Sequence, residues 1–116
     1  MQALKTGDRI LFSECRVAQD FVSRFVGLMG RSDLKPEEAL LFPKCNSIHT
    51  CFMRMSIDVL FLSPKGEVLE VLEAVRPWRF LRPRWNATHT VELRAGMARQ
   101  KQIIRGLCLE CEGVLG

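Results

Sequence analysis

The sequence predicts a single mainly β domain, a compact antiparallel β-sandwich or barrel-like fold of about seven strands with two short helices. Two observations support this prediction. Apolar and polar residues alternate along Glu67 to Val75, as in a half-exposed strand. Turn-forming residues recur between short apolar runs, most clearly at Ser63-Pro64-Lys65-Gly66, where a hairpin is expected. A chain of 116 residues builds one core, so residues 1–116 are assigned to one domain.

The other elements follow from the same signals. Gly7-Asp8 predicts a turn, and the apolar residues between Ala18 and Met29 lie at helical spacing, with Gly30 placed to end that helix. Cys45 to Leu62 is interpreted as two adjacent strands with a bend near Met55-Ser56. The remaining expectations are strands over Arg9–Cys15, Leu40–Phe42, Glu67–Val75, Thr88–Arg94 and Leu107–Leu115, a second helix over Met97–Ile104, and a long exposed loop over Arg76–Asn86.

The composition is that of an ordinary globular protein, with 47% apolar and 26% charged residues. No apolar run approaches the ~18–20 residues of a membrane span. Met1 to Ile10 carries charged residues and no apolar core, which argues against a signal peptide. The chain has five cysteines, an odd number, and is long enough to build a core without disulfide bonds. We therefore expect reduced thiols and a soluble, cytoplasmic protein.

The positive charge is concentrated in one part of the chain. The net charge is +4, yet Arg76 to Arg105 holds eight basic residues and one acidic residue. The rest of the sequence is therefore slightly acidic, and one side of the surface is expected to be basic.

The stretch from Cys45 to Leu62 contains the most informative polar residue, Asp58. It lies in the longest apolar block, and burying an ionised carboxylate without a partner costs several kcal/mol. We expect a guanidinium group from Arg24, Arg31 or Arg54 to meet it. Such a pair would fix the fold; alternatively, the same arginines would clamp an anionic ligand.

Several motifs together resemble the DUF192 family (UPF0127). They are Arg24-x-x-Gly27-Leu28-Met29-Gly30-Arg31, Ile48-His49-Thr50-Cys51-Phe52-Met53-Arg54, Ile57-Asp58-Val59-Leu60-Phe61-Leu62, Pro77-Trp78, Val91-Glu92-Leu93-x-Ala95-Gly96 and Gly106. The resemblance implies a compact β-sandwich and no established biochemical activity. The chain departs from the family at Gly106-Leu107, where members commonly have Gly-Asp. Its five cysteines are not a general family feature.

A binding module for a small anionic or polar ligand, or for a peptide, is the first functional hypothesis. No cofactor is predicted. The candidate site is a cleft near the Cys45–Leu62 strands, and its residues are Arg24, Arg31, His49, Thr50, Arg54, Asp58, Pro77 and Trp78.

An enzyme that uses His49 and Cys51 is an alternative, because residues two apart in a strand share a face. No third residue that would orient the histidine can be named, so no catalytic residue is assigned. Cys108-x-x-Cys111 has the spacing of half a zinc site; the other half would be Cys45, His49 or Cys51, whose spacing is loose for a metal loop, and no metal is predicted.

A nucleic-acid accessory protein is the other alternative. Arginines interleave with aromatic residues between Arg76 and Trp85, a composition that suits phosphate contacts and base stacking, or an anionic membrane surface. The residues concerned are Arg76, Arg79, Arg82, Arg84 and Trp85, next to Trp78. The structural alternative is that the two tryptophans fold back over a sheet edge.

Overall fold

The computed structural model describes residues 2–18, 33–47, 50 and 54–115, and the described chain is mainly β, as predicted. Its elements are β1 (Gln2–Thr6), β2 (Arg9–Val17), β3 (Glu38–Phe42), β4 (Ile57–Leu62), β5 (Val68–Val75), β6 (His89–Arg94) and the short helix α1 (Met97–Gln100). The helix predicted from Ala18 to Met29 and the first strand predicted after Cys45 lie largely outside the described residues.

The six described strands form one sheet in the order β1-β2-β3-β6-β4-β5. Neighbouring strands are antiparallel except β2 and β3, which are parallel. The sheet has edges at β1 and β5, so it is not closed into a barrel, which corrects the barrel-like expectation. The parallel pair could not be predicted from hairpin signals, because no tight turn joins β2 to β3.

Apolar side chains cover both faces of this sheet. In β4, Leu60 and Leu62 belong to one buried cluster, whereas Ile57, Val59 and Phe61 belong to the other. All six residues of β4 are buried. A strand that is covered on both sides has a nearly continuous apolar sequence, which explains why this stretch is the most apolar of the chain.

The turn after β4 matches the predicted hairpin. Ser63 accepts a hydrogen bond from Gly66 N–H at 3.0 Å and donates its own N–H to the carbonyl of Glu67 at 2.9 Å. Gly66 has φ of +95°, and a Cβ at this position would lie 2.4 Å from the carbonyl oxygen of Leu109. Only glycine fits here, because the C-terminal segment packs directly against the turn.

Three local expectations differ from the structure. Strand β1 was not predicted; its only fully buried side chain is Leu4, so its apolar alternation is weak. The strand expected from Leu107 to Leu115 is reduced to isolated bridges, such as the one between Lys5 and Glu110. The second helix ends at Gln100 instead of Ile104, because the chain turns at residues 101–102 and brings Ile103 into the core.

Candidate functional site

Asp58 is fully buried in β4, with 0% of its surface exposed. The β4–β5 register shifts beside it, because the two steps from Ile57 to Val59 in β4 face three steps from Val75 to Leu72 in β5. The extra residue makes a β-bulge in β5 next to the Asp58 side chain.

Three backbone N–H groups bind the Asp58 carboxylate. Ala74, in the bulge, donates to Oδ1 at 2.9 Å, and Gly96 and Ala98, at the start of α1, each donate to Oδ2 at 3.0 Å. Ala74 has φ of 51°, a left-handed conformation that is uncommon for alanine. Hydrogen bonds to an ionised acceptor are strong enough to offset much of the cost of burying the charge.

The arginines expected to meet Asp58 are not among its described partners. Arg54 is exposed, and no described hydrogen bond or ion pair joins it to Asp58. Arg24 and Arg31 lie outside the described residues, so their pairing with Asp58 stays a prediction. Within the described chain, Asp58 is an internal anchor that joins the end of β5 to the segment after β6.

A groove lies between those two joined segments. Its volume is about 880 Å³, with β5 as one wall and residues 98–105 as the other. We call it the β5 groove. Apolar lining comes from Leu69, Val71, Ala98, Ile103 and Ile104, and polar lining from Glu70, Glu73, Arg99, Gln102 and Arg105.

The walls of the β5 groove are tied together at both ends. Asp58 holds one end through Ala74 and Ala98. At the other end Val68 N–H donates to the carbonyl of Leu107 at 2.8 Å, and Gly106 N–H donates to the carbonyl of Val68 at 2.8 Å. The groove is therefore a fixed feature of the fold.

One ion pair crosses the β5 groove. Arg99 Nε lies 3.2 Å from Glu73 Oε1, and the side chains are 82% and 44% exposed. An exposed ion pair of this kind contributes at most about 1 kcal/mol. It can therefore open at little cost when something enters the groove.

Thr50 is buried and fastens the start of the predicted aromatic loop. Its hydroxyl donates to the Arg76 carbonyl at 2.7 Å and accepts from Arg79 N–H at 2.8 Å. Its backbone groups bond to Arg79 and Trp78 at 2.8 and 3.0 Å. The structure thus brings together Thr50 and the Pro77-Trp78 turn, whereas His49 lies outside the described residues.

The segment from Arg76 to Trp85, which we call the Arg–aromatic loop, exposes three aromatic side chains. Trp78 is 61% exposed, Phe80 is 80% exposed and Trp85 is 88% exposed. The arginines at positions 76, 79 and 82 are also exposed. The tryptophans do not fold back over the sheet, so the structural alternative for them is wrong. Among the apolar side chains of this loop, Leu81 packs against a buried cluster.

Arg84 fastens the far end of the Arg–aromatic loop. Its guanidinium forms two bonds to the Glu70 carboxylate, at 2.9 and 3.2 Å, and lies 4.8 Å from the centre of the Phe61 ring. The hydrogen bonds from Arg84 lower the pKa of Glu70 below its usual value. Asn46 also bonds to the backbone of Arg84 in both directions, at 2.9 and 3.2 Å. Of the arginines expected to contact a nucleic acid, this one is engaged within the fold.

Glu92 is a buried acid that the sequence analysis did not single out. It lies in β6 between Leu40 of β3 and Val59 of β4, with 2% of its surface exposed. Its Oε1 atom has no hydrogen-bond donor among the described residues. Burial raises the pKa of Glu92 to about 8, so the carboxyl is mostly protonated at neutral pH. The alternation Val91-Glu92-Leu93 is typical of a half-exposed strand with Glu92 in solvent, so the burial of Glu92 could not be predicted from it.

The four described cysteines are free thiols. Cys108 is exposed, whereas Cys15 and Cys111 are buried next to each other. Burial, together with the neighbouring Cys111 thiol, raises the pKa of Cys15 to about 12. Cys51 is outside the described residues, and the enzyme hypothesis that uses it with His49 therefore stays a prediction.

The described residues offer neither a metal-binding cluster nor a helix of membrane-spanning length. No group of three or more His, Cys, Asp or Glu side chains in this part of the chain could hold a metal ion. No described helix has the length and apolar character needed to cross a membrane.

The single sheet with its Asp58 anchor defines a small mainly β domain, and sequence comparison places it in a family. Residues 2–111 match the DUF192 family, described as an uncharacterised ACR, and the chain belongs to that family. A UPF0127 protein of Pyrococcus furiosus is 42% identical over 85 residues, which cover 68% of this chain and 70% of that protein. A UPF0127 protein of Thermococcus sibiricus is 35% identical over 97 residues, covering 80% of this chain and 62% of that protein.

Two solved structures share the fold. A protein of unknown function from Novosphingobium aromaticivorans superimposes with a TM-score of 0.80 at 20% identity, over 94% of this chain and 83% of that one. A putative transcription regulator from Sinorhizobium meliloti gives a TM-score of 0.80 at 22% identity, over 97% and 93% of the two chains. At these identities the likeness establishes the fold alone.

Proposed function

We propose that this domain is a binding module for single-stranded nucleic acid and that the Arg–aromatic loop is its contact surface. The observation that carries the proposal is the exposure of three aromatic rings beside three exposed arginines. These side chains are Trp78, Phe80 and Trp85 with Arg76, Arg79 and Arg82.

Aromatic rings and guanidinium groups match the two chemical features of a single strand. Unpaired bases stack on aromatic faces, a contact worth about 1–3 kcal/mol per base that tolerates any sequence, while arginines bind the phosphates. No acidic residue occurs between Arg76 and Trp85 to oppose a polyanion. The loop therefore fits a strand that is read by its backbone and ring faces.

The loop is held in place before any strand binds. Thr50 fixes its first residues through the Arg76 and Arg79 backbone, and Arg84 fixes its end on Glu70. A surface that is already ordered loses less conformational entropy on binding. The exposed rings can therefore act as a stacking platform.

The contacts of Thr50 and Asp58 favour this function over a small anionic ligand near the Cys45–Leu62 strands. The hydroxyl of Thr50 and both oxygens of Asp58 are already bonded to backbone groups. Neither side chain is left to recognise a ligand directly. Of the other residues of that hypothesis, Arg24, Arg31 and His49 lie outside the described part of the chain, whereas Arg54, Pro77 and Trp78 are described and Arg54 is exposed.

Intrinsic fluorescence gives a direct test, because Trp78 and Trp85 are the only tryptophans and the chain has no tyrosine. Titration with single-stranded poly(dT) should quench the emission as bases stack on the indoles. The affinity should fall with salt: a plot of the logarithm of the binding constant against the logarithm of the salt concentration should have a slope of about −2 if three phosphates are neutralised. The variant Arg76→Ala/Arg79→Ala/Arg82→Ala should flatten that slope.

The matched control removes three exposed charges elsewhere, as Lys5→Ala/Arg9→Ala/Arg16→Ala, and should bind like the wild type. Equal losses in the two triple variants would show that net charge alone drives binding and would reject the loop as the site. If the tryptophan emission shifted to the blue on anionic vesicles but was not quenched by poly(dT), the loop would be a membrane-binding surface and the nucleic-acid proposal would be rejected.

A further inference from the structure

We infer that the β5 groove is a separate binding site for a short extended peptide that carries an apolar side chain beside an acidic one. This site shares no residue with the Arg–aromatic loop. Its support comes from the edge of β5 that pairs with no described strand, from the lining of the groove and from the charges on its rim.

The edge of β5 offers backbone groups to a peptide. Strand β5 is the last strand of the sheet, and its only described strand partner is β4. A strand edge presents N–H and C=O groups that pair with another extended chain. The protein itself uses this edge at one end, where Gly106 and Leu107 bond to Val68. The edge from Glu70 to Glu73 faces the groove instead of another described strand.

The lining of the groove favours an apolar side chain from that peptide. Val71 and Ile103 contribute apolar surface inside, and Ile104 is 67% exposed at the rim. Covering such surface gains roughly 25 cal/mol per Å² of apolar area removed from water. Ile104 therefore continues the apolar lining of the groove out to its rim, where a peptide side chain could cover it.

The charges at the rim favour an acidic group. Glu70 is paired with Arg84, and Glu73 is paired with Arg99. Arg105 is exposed and forms no ion pair with the described residues. An incoming carboxylate could bind Arg105, or take Arg99 from Glu73, since that exposed pair is weak.

The tied walls set the length of the peptide. From Val68 to Ala74 the strand extends about 20 Å, at about 3.3 Å per residue. Backbone bonds at Val68 and the Asp58 side chain at Ala74 close the two ends of this span, so the groove holds a segment of about five or six residues. A volume of about 880 Å³ lies within the usual range of sites for compact ligands.

Selection from a displayed library of random eight-residue peptides tests the inference on the full chain. Enriched peptides should combine apolar and acidic residues, and their synthetic forms should shift the backbone amide NMR signals of residues 69–73 and 98–105. Ile104→Glu should weaken their binding about tenfold or more, by removing apolar contact and repelling the acidic group.

Ile10→Glu is the matched control, because Ile10 is 58% exposed on β2, away from the groove. It should leave peptide binding unchanged. The inference is overturned if no peptide is enriched, if peptide binding survives Ile104→Glu, or if the shifted amides lie only in the Arg–aromatic loop. Binding of poly(dT) should be unaffected by Ile104→Glu, so failure here is distinguishable from failure of the nucleic-acid proposal.

Discussion

At the scale of single residues, two buried acids in neighbouring strands have opposite environments. Asp58 accepts three backbone N–H groups, whereas Glu92 has an oxygen without a donor among the described residues. Hydrogen-bond donors stabilise the ionised form of an acid, and desolvation disfavours it. Burial with no donor to Oε1 among the described residues therefore favours the protonated form of Glu92.

Glu92 should make the protein less stable as the pH rises. Its pKa is raised to about 8 in the folded state from an ordinary value of 4.5, so folding favours the protonated form. The stability that protonated Glu92 contributes is fully present below about pH 4.5 and is lost as the pH rises towards 8. Over that range the free energy of unfolding falls by up to about 1.4 kcal/mol per pH unit. Urea unfolding between pH 5 and 8 measures this slope.

Glu92→Gln keeps the shape of the side chain but cannot ionise. The free energy of unfolding of this variant should therefore depend less steeply on pH than that of the wild type, by the amount due to one titrating group. Glu67→Gln, a change at an exposed position, is the control and should keep the wild-type slope. Identical slopes for wild type and Glu92→Gln would mean that Glu92 is not the group that titrates.

At the scale of elements, the C-terminal segment is held by the β4–β5 turn. Leu109 N–H donates to the Gly66 carbonyl at 2.9 Å, and Lys5 and Glu110 exchange backbone bonds at 2.8 and 2.7 Å. The segment thus connects the strands at the two edges of the sheet, β1 and β5, without forming a strand of its own.

Gly66→Ala should destabilise the fold more than an alanine substitution at another glycine with a similar positive φ. The new Cβ would lie 2.4 Å from Leu109 O, and either the turn or the C-terminal segment must move. Gly106→Ala is the control, since its φ of +96° matches the +95° of Gly66 but a Cβ there would have no atom within 4 Å. Both lose about 1–2 kcal/mol to the left-handed conformation, and thermal melting should show a larger loss for Gly66→Ala.

Equal melting temperatures for Gly66→Ala and Gly106→Ala would contradict the close approach of Leu109 to the turn. A selective loss at Gly66→Ala should be accompanied by faster alkylation of the buried Cys111, because that thiol belongs to the displaced segment.

The sequence predicted the elements whose signals are local. The Ser63–Gly66 turn, the alternation in β5 and the exposed loop from Arg76 needed no knowledge of distant residues. Asp58 was singled out because a lone acid in an apolar strand must find partners, and its burial is confirmed. Its partners could not be predicted, because Ala74, Gly96 and Ala98 meet it through backbone groups that the residue types do not reveal.

At the scale of the whole molecule, the burial of Glu92 was missed because a sheet covered on both faces breaks the usual inward and outward alternation. The β5 groove depends on β5 being an edge strand, and strand order is set by pairings between residues far apart in the chain. The two proposed surfaces, the Arg–aromatic loop and the β5 groove, are both built around strand β5.

The buried Asp58 carboxylate joins the end of β5 to the start of α1. Amide hydrogen exchange in Asp58→Asn tests that role most directly. An asparagine keeps one acceptor oxygen, so either Ala74 or both Gly96 and Ala98 should exchange about tenfold faster or more, since each bond to a charged acceptor is worth about 1.5–3 kcal/mol. The Leu60 amide, in the same strand, serves as the internal reference. Unchanged protection at Ala74, Gly96 and Ala98 would contradict the anchor and with it the fixed walls of the groove.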